Sequence, residues 1–210
     1  MMQAFLSGLM ITGGLIMAIG AQNTFVLKQG LLKQHIGLVV SICWLCDVLL
    51  IGAGVYGVGA LLANSPHAAA ALALAGGVFL LVYGLNSARS AWQGNKQLNA
   101  PDSDESQHTA FKVILTTLAL TLLNPHAYVD AVMLIGGSAA SLSADGKQLF
   151  LAGSLLASAL WFLTIGYGSR LLLPLFRRTR TWQILDSLIA MMMLYLAYGL
   201  FRQAASTLLA

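Results

Sequence analysis

The stretch LTLLNPHAYVDAVMLIGG, Leu120 to Gly137, decides how this chain is read. It lies inside an apolar run, Phe111–Leu142, that exceeds the roughly 20 apolar residues a membrane-spanning helix needs. Asn124, Pro125, His126 and Asp130 interrupt that run. Pro125 has no N–H, and inside a helix its ring clashes with the carbonyl of residue 121, so the helix kinks or opens there. Backbone groups freed at membrane depth must be satisfied by protein or by cavity water. Asn124 offers both a donor and an acceptor. Broken helices near the bilayer midplane are where transporters place their binding sites.

The rest of the chain supports a membrane reading. Of 210 residues, 58% are hydrophobic and only 9% charged, with a mean hydropathy of +0.79. Soluble domains carry about 25% charged residues. This composition excludes a disordered chain, a nucleic-acid-binding domain and an ordinary soluble enzyme. The net charge of +4 does not point to nucleic acid, because the cations cluster in loops and form no stripe. Six stretches are long and apolar enough to span: Phe5–Leu27, Ile36–Leu62, Ala68–Ala88, Phe111–Leu142, Leu149–Leu173 and Trp182–Phe201. No Lys or Arg precedes Lys28, so the first stretch lacks a signal peptide's positive region and is expected to be retained as a helix.

The expected fold is therefore all-α, a polytopic integral membrane protein with six transmembrane helices and a broken fourth helix. Residues 1–88 form a first three-helix half. The polar segment 89–110, with Pro101, Asp102, Asp104 and Glu105, reads as a cytoplasmic linker, and 111–210 form a second half. Three is odd, so the halves lie oppositely in the membrane, as in a 3+3 inverted repeat. Alternate loops place Lys28, Lys33, Arg89, Lys96, Lys112, Arg170, Arg177, Arg178 and Arg180 on one side, and only Lys147 and Arg202 on the other. The cation-rich side is cytoplasmic by the positive-inside rule, so both termini are expected outside.

Two acids have no bland explanation. Asp47 lies about 16 Å into its span at 1.5 Å per residue, and Asp130 lies just past the centre of the fourth stretch. Each costs about 2.5–3.5 kcal/mol at the bilayer centre, so each needs a partner, a proton or water. No Lys or Arg lies at comparable depth, and Arg170, the nearest, can snorkel to the interface. The bland alternative is a carboxyl held neutral by burial and hydrogen-bonded to Asn, Ser or Tyr. Asp186, by contrast, reads as a first-turn acid favouring its helix dipole. Gln22 and Asn23 form a second polar pair in an apolar run, and interhelical hydrogen bonding is their structural explanation. His126 is a candidate proton carrier beside the two acids. Cys43 and Cys46 have C-x-x-C spacing; as a redox pair they would make the chain a membrane thiol oxidoreductase, but in an apolar helix Cys behaves as a small hydrophobe. Gly52, Gly54, Gly57, Gly59, Gly76, Gly77, Gly136 and Gly137 suit close helix packing. No metal or cofactor motif is present, and a homo-oligomer is compatible with the sequence.

The segments IGAQNTFVLKQG (Ile19–Gly30), CDVLLIGAGVYG (Cys46–Gly57), LNPHAYVDAVMLIGG (Leu123–Gly137) and SALWF (Ser158–Phe162) resemble, in order and spacing, the lysine exporter (LysE) family, and within it the arginine-exporter branch. The resemblance implies a non-enzymatic inner-membrane exporter of basic L-amino acids, L-arginine and L-lysine, coupled to protons. The family pattern has Pro where this chain has Ala21, so the resemblance does not decide whether the first helix is broken. Asp47 and Asp130 are expected to meet the cationic groups of the cargo, guanidinium being suited to bidentate carboxylate pairing. Gln22, Asn23, Asn124 and the Pro125 break are expected to bind its polar α-carbon end. A neutral amino acid or related metabolite is the alternative cargo.

Overall fold

The computed structural model describes residues 2–17, 20–57, 66–93, 103–172, 174 and 179–209. These form α1 (Met2–Ile16), α2 (Ala21–Leu32), α3 (Ile36–Val55), α4 (Pro66–Gln93) and α5 (Ser103–Leu122). A short α6 (Pro125–Val129) then runs into a π-helical segment (Asp130–Gly136) and α7 (Gly137–Ala139). α8 (Ala144–Gly168) ends in a 3₁₀ turn (Ser169–Leu172), and α9 (Thr179–Leu209) closes the chain. No strand occurs among the described residues.

Among the described residues, three helices are long and apolar enough to cross a membrane: Ile36–Val55, Ala144–Leu172 and Arg180–Thr207. Two bent pairs raise this to five when each counts as one span. Met2–Ile16 meets Ala21–Leu32 at 81°, and Ala110–Leu122 meets His126–Ala139 at 57°. The third expected span, Ala68–Ala88, falls on α4.

The first bend answers what the sequence left open, whether the helix over Phe5–Leu27 is broken. α1 stops at Ile16 and α2 runs on to Leu32. The break needs no proline. Gly20 is extended (φ −131°, ψ 179°) with no side-chain cap, and the Asn23 amide donates to the Ile16 carbonyl across the gap (2.8 Å). That bond satisfies one of the carbonyls left open at the end of α1.

The second bend is a true break rather than a kink. Pro125 opens α6 at a first-turn position, where its missing N–H costs nothing because that group would be unpaired in any case. Asn124 caps the new helix, its Oδ1 accepting from the His126 N–H (3.1 Å). The Tyr128 hydroxyl donates to the Leu122 carbonyl (2.9 Å). The groups on both sides of the break thus find partners within the break itself.

α4 packs along α9, and α1 along α8, while α3 lies between α8 on one side and α5 with the π segment on the other. Two glycines allow these contacts. A Cβ at Gly76 on α4 would lie 2.1 Å from the Leu123 carbonyl oxygen at the second break, and one at Gly136 would lie 2.5 Å from the Gly54 carbonyl oxygen on α3. Gly52 and Gly137 face no neighbour within 4 Å, so the expected packing role does not extend to them; Gly59 lies outside the described residues. α9 buries Leu185, Ile189, Met193, Ala197 and Leu200 and exposes Ile184, Leu188, Met191, Tyr195 and Tyr198. A helix apolar on both faces suits a bilayer rather than water.

Two further readings change. The described parts of the expected linker, 89–93 and 103–110, are helical, as the ends of α4 and α5. Lys28 is no loop cation: it lies within α2, 8% exposed, and its Nζ pairs with Asp186 Oδ1 at 2.5 Å. Asp186 is 1% exposed and lies beyond the first turn of α9, which starts at Thr179, so a dipole role does not explain it. Its other oxygen accepts from the Ser90 hydroxyl (2.7 Å). The pair joins α2, α4 and α9, a tie that no sequence spacing announces.

Candidate functional site

The two breaks face one cavity of about 340 Å³. Gln22, Asn23, Asp47, Asn124, His126 and Asp130 all line it. Every polar side chain singled out in the sequence as a cargo or proton contact therefore meets at one place, although they come from α2, α3 and both sides of the second break. Leu50, Ile51, Phe79, Leu80, Phe162 and Leu196 supply apolar wall.

The chain builds this site by ending two helices inside the protein. Asn23 follows the first break by three residues and Asn124 immediately precedes the second helix start. In the sequence Asn23 lies near the inner end of its apolar run and Asn124 near the middle of its own. The 81° bend turns α2 away from the line of α1, and both residues line the cavity.

The polar groups differ in what remains free. Asn23 is 7% exposed and its amide is used on both sides: Nδ2 donates to Ile16 O, and Oδ1 accepts from the Trp161 indole N–H (3.2 Å). Its place is structural as well as lining. Gln22 keeps a buried Nε2 with no hydrogen-bond partner among the described residues, a donor available to a guest. Asn124 spends Oδ1 on the cap and retains its amide donors.

Asp47 accepts from the Ser158 hydroxyl through Oδ2 (2.6 Å). Asp130 opens the π-helical segment, a distortion that recurs at functional sites, and His126 lies one turn before it. Neither acid has an ion pair among the described residues. The buried cation in reach of neither is Lys28, already paired with Asp186. Arg170 is exposed and sits over the Tyr167 ring at 5.1 Å, a cation–π contact.

Sequence reading missed Ser158, Trp161 and the Lys28–Asp186 pair. Ser158 and Trp161 lie within the SALWF segment, whose motif was visible but whose partners lie on other helices. Cys43 and Cys46 are buried free thiols on α3, and neither lines the cavity. No cluster of His, Cys, Asp or Glu suited to a metal ion occurs among the described residues.

The chain is similar to known transporters. "Putative amino-acid transporter YggA" of Aeromonas salmonicida is 40% identical over 200 residues, covering 95% of this chain and 94% of that protein. The "Arginine exporter protein ArgO" of Klebsiella pneumoniae is 33% identical over 202 residues, covering 96% and 95%. That of Serratia proteamaculans is 33% identical over 206 residues, covering 98% and 100%. No solved structure matches. The profile described as "LysE type translocator" matches residues 14–204, and the chain belongs to that family of membrane transporters.

Proposed function

We propose that this protein exports cationic amino acids, arginine and lysine being the reference cargo, across the bacterial inner membrane in exchange for protons. The observation that carries the proposal is a cavity holding two carboxylates, Asp47 and Asp130, with no protein cation to neutralise them among the described residues. A volume of about 340 Å³ lies at the small end of ligand sites, suited to one amino acid. Relatives named as arginine exporters support the same reading.

In this reading the cargo's side-chain cation and α-amino group meet the two carboxylates. The Gln22 and Asn124 amides meet its α-carboxylate. Charge-assisted bonds of this kind are about twice as strong as neutral ones. A proton arriving from outside neutralises a carboxylate and loosens the cargo. Its departure inward restores the charge for the next molecule. His126, one turn from Asp130, is placed to pass that proton. Among the described residues each half shows a bent pair, a single helix and a long helix. This order supports an inverted 3+3 repeat with α4 as the sixth span, both termini outside, and alternating access around the midplane cavity.

The test is efflux of L-arginine and L-lysine from loaded proteoliposomes under an imposed pH gradient. Asp47→Asn and Asp130→Asn should each fold, insert and lose most efflux of both cargoes. Retained efflux in both variants would overturn the carboxylate site, and no efflux of either cargo from the parent protein would favour a neutral amino acid as cargo.

A further inference from the structure

Some buried hydroxyls of this protein bond within their own helix, while that of Ser154 donates across to the Gly8 carbonyl on α1. Thr117 donates to the Val113 carbonyl and Thr121 to the Thr117 carbonyl, each four residues back on its own helix. This local back-bonding is the default for Ser and Thr in helices. Ser158, with no exposed surface, does otherwise: its hydroxyl leaves α8 and donates to Asp47 Oδ2 on α3.

Two more bonds flank it on the same face of α8. Three residues earlier, the Leu155 carbonyl accepts from the Trp44 indole N–H on α3 (3.1 Å). Three residues later, the Trp161 indole N–H donates to Asn23 on α2. The Trp44–Leu155 and Ser158–Asp47 bonds thus both tie α3 to α8. The third reaches the side chain that bridges the first break.

We propose that Ser158 and Trp161 are positioning residues for the cargo site, one orienting the Asp47 carboxylate and the other the Asn23 bridge; this rests on the cargo-site reading above. A free carboxylate rotates about its last torsion, and in a site that binds by geometry a loose group loses affinity. Ser158 occupies Oδ2 and leaves Oδ1 to meet the cargo cation. Trp161 fixes the Asn23 oxygen, so that its nitrogen stays on the Ile16 carbonyl and the bend keeps Gln22 against the cavity. Both groups belong to the second half of the chain, while the side chains they hold belong to the first. The site is thereby set by the fit between halves.

The experiment measures L-arginine efflux against internal concentration in proteoliposomes, for the parent, Asp47→Asn, Ser158→Ala, Ser158→Thr and Trp161→Phe, with melting temperature in detergent recorded for each. A hydrogen bond to a charged group corresponds to about a tenfold to hundredfold change in affinity. Ser158→Ala should therefore raise the half-saturating arginine concentration at least about tenfold while maximal efflux changes little, and Ser158→Thr should restore it. Trp161→Phe should raise it too, with no additional rise when Asn23→Ala is combined with it. A purely structural role would lower melting temperature and maximal efflux together and leave half-saturation in place. That pattern, or a parent-like Ser158→Ala beside an inactive Asp47→Asn, overturns the positioning role alone. Unchanged efflux in Asp47→Asn overturns the cargo-site reading and the positioning role with it.

Discussion

Replacing Pro125 by alanine separates two views of the second break. Were Pro125 in a helix interior, the change would stabilise the protein by about 3 kcal/mol, and a continuous helix would close the cavity. Its place at the start of α6 changes the arithmetic. At that position the N–H gained has no obligatory partner, so the 3 kcal/mol is not available. A continuous helix would also forfeit the Asn124–His126 cap and the Tyr128–Leu122 bond, each worth about 1 kcal/mol net. Pro125→Ala should therefore keep the break and shift stability by less than about 1 kcal/mol, which is roughly 2–4 °C in Tm for a chain of this size. Asn124→Ala removes the cap itself, at about 0.5–2 kcal/mol, together with the amide donors that face the cavity. It should lower both Tm and arginine efflux, whereas Pro125→Ala should retain most of both. Thermal unfolding in detergent and proteoliposome efflux, measured side by side, decide the matter. A Pro125→Ala protein about 3 kcal/mol more stable than its parent and unable to transport would refute this account of the break.

Other perturbations read different parts of the structure. Asp186→Asn or Lys28→Met alone leaves a buried charge without its partner and should cost about 3–5 kcal/mol, while Lys28→Met combined with Asp186→Leu should recover much of that loss on thermal unfolding. Gly76→Ala places a methyl 2.1 Å from the Leu123 carbonyl oxygen and should cost about 1–3 kcal/mol as α4 is pushed from the break; an unchanged Tm would mean that the contact is not needed. Tags at both termini should label from outside intact cells, and a tag beside Glu105 only after permeabilisation. An inward-facing C-terminus would remove the six-span topology.

Much of the site was legible from residue type alone. Asp47 and Asp130 stand out because ionisable groups are costly in an apolar run, and that cost depends on environment rather than on fold detail. Pro125 and Asn124 announce a helix start in any context, since one lacks an N–H and the other caps well. Composition fixed the class for the same reason: a chain with 9% charged residues cannot cover itself for water. The tertiary structure decided what depends on partners distant in sequence. The first break carries no proline, and its stability comes from Asn23 reaching Ile16 while Trp161, far along the chain, holds the same amide. Lys28 reads as a loop cation until Asp186, which also accepts from Ser90, is brought against it. Ser158 is one serine among many until α3 places Asp47 opposite it. Local rules specify where a helix cannot continue and which groups cannot be buried alone; only packing specifies which distant group satisfies them, because that choice is made by the geometry of helices whose contacts leave no period in the sequence.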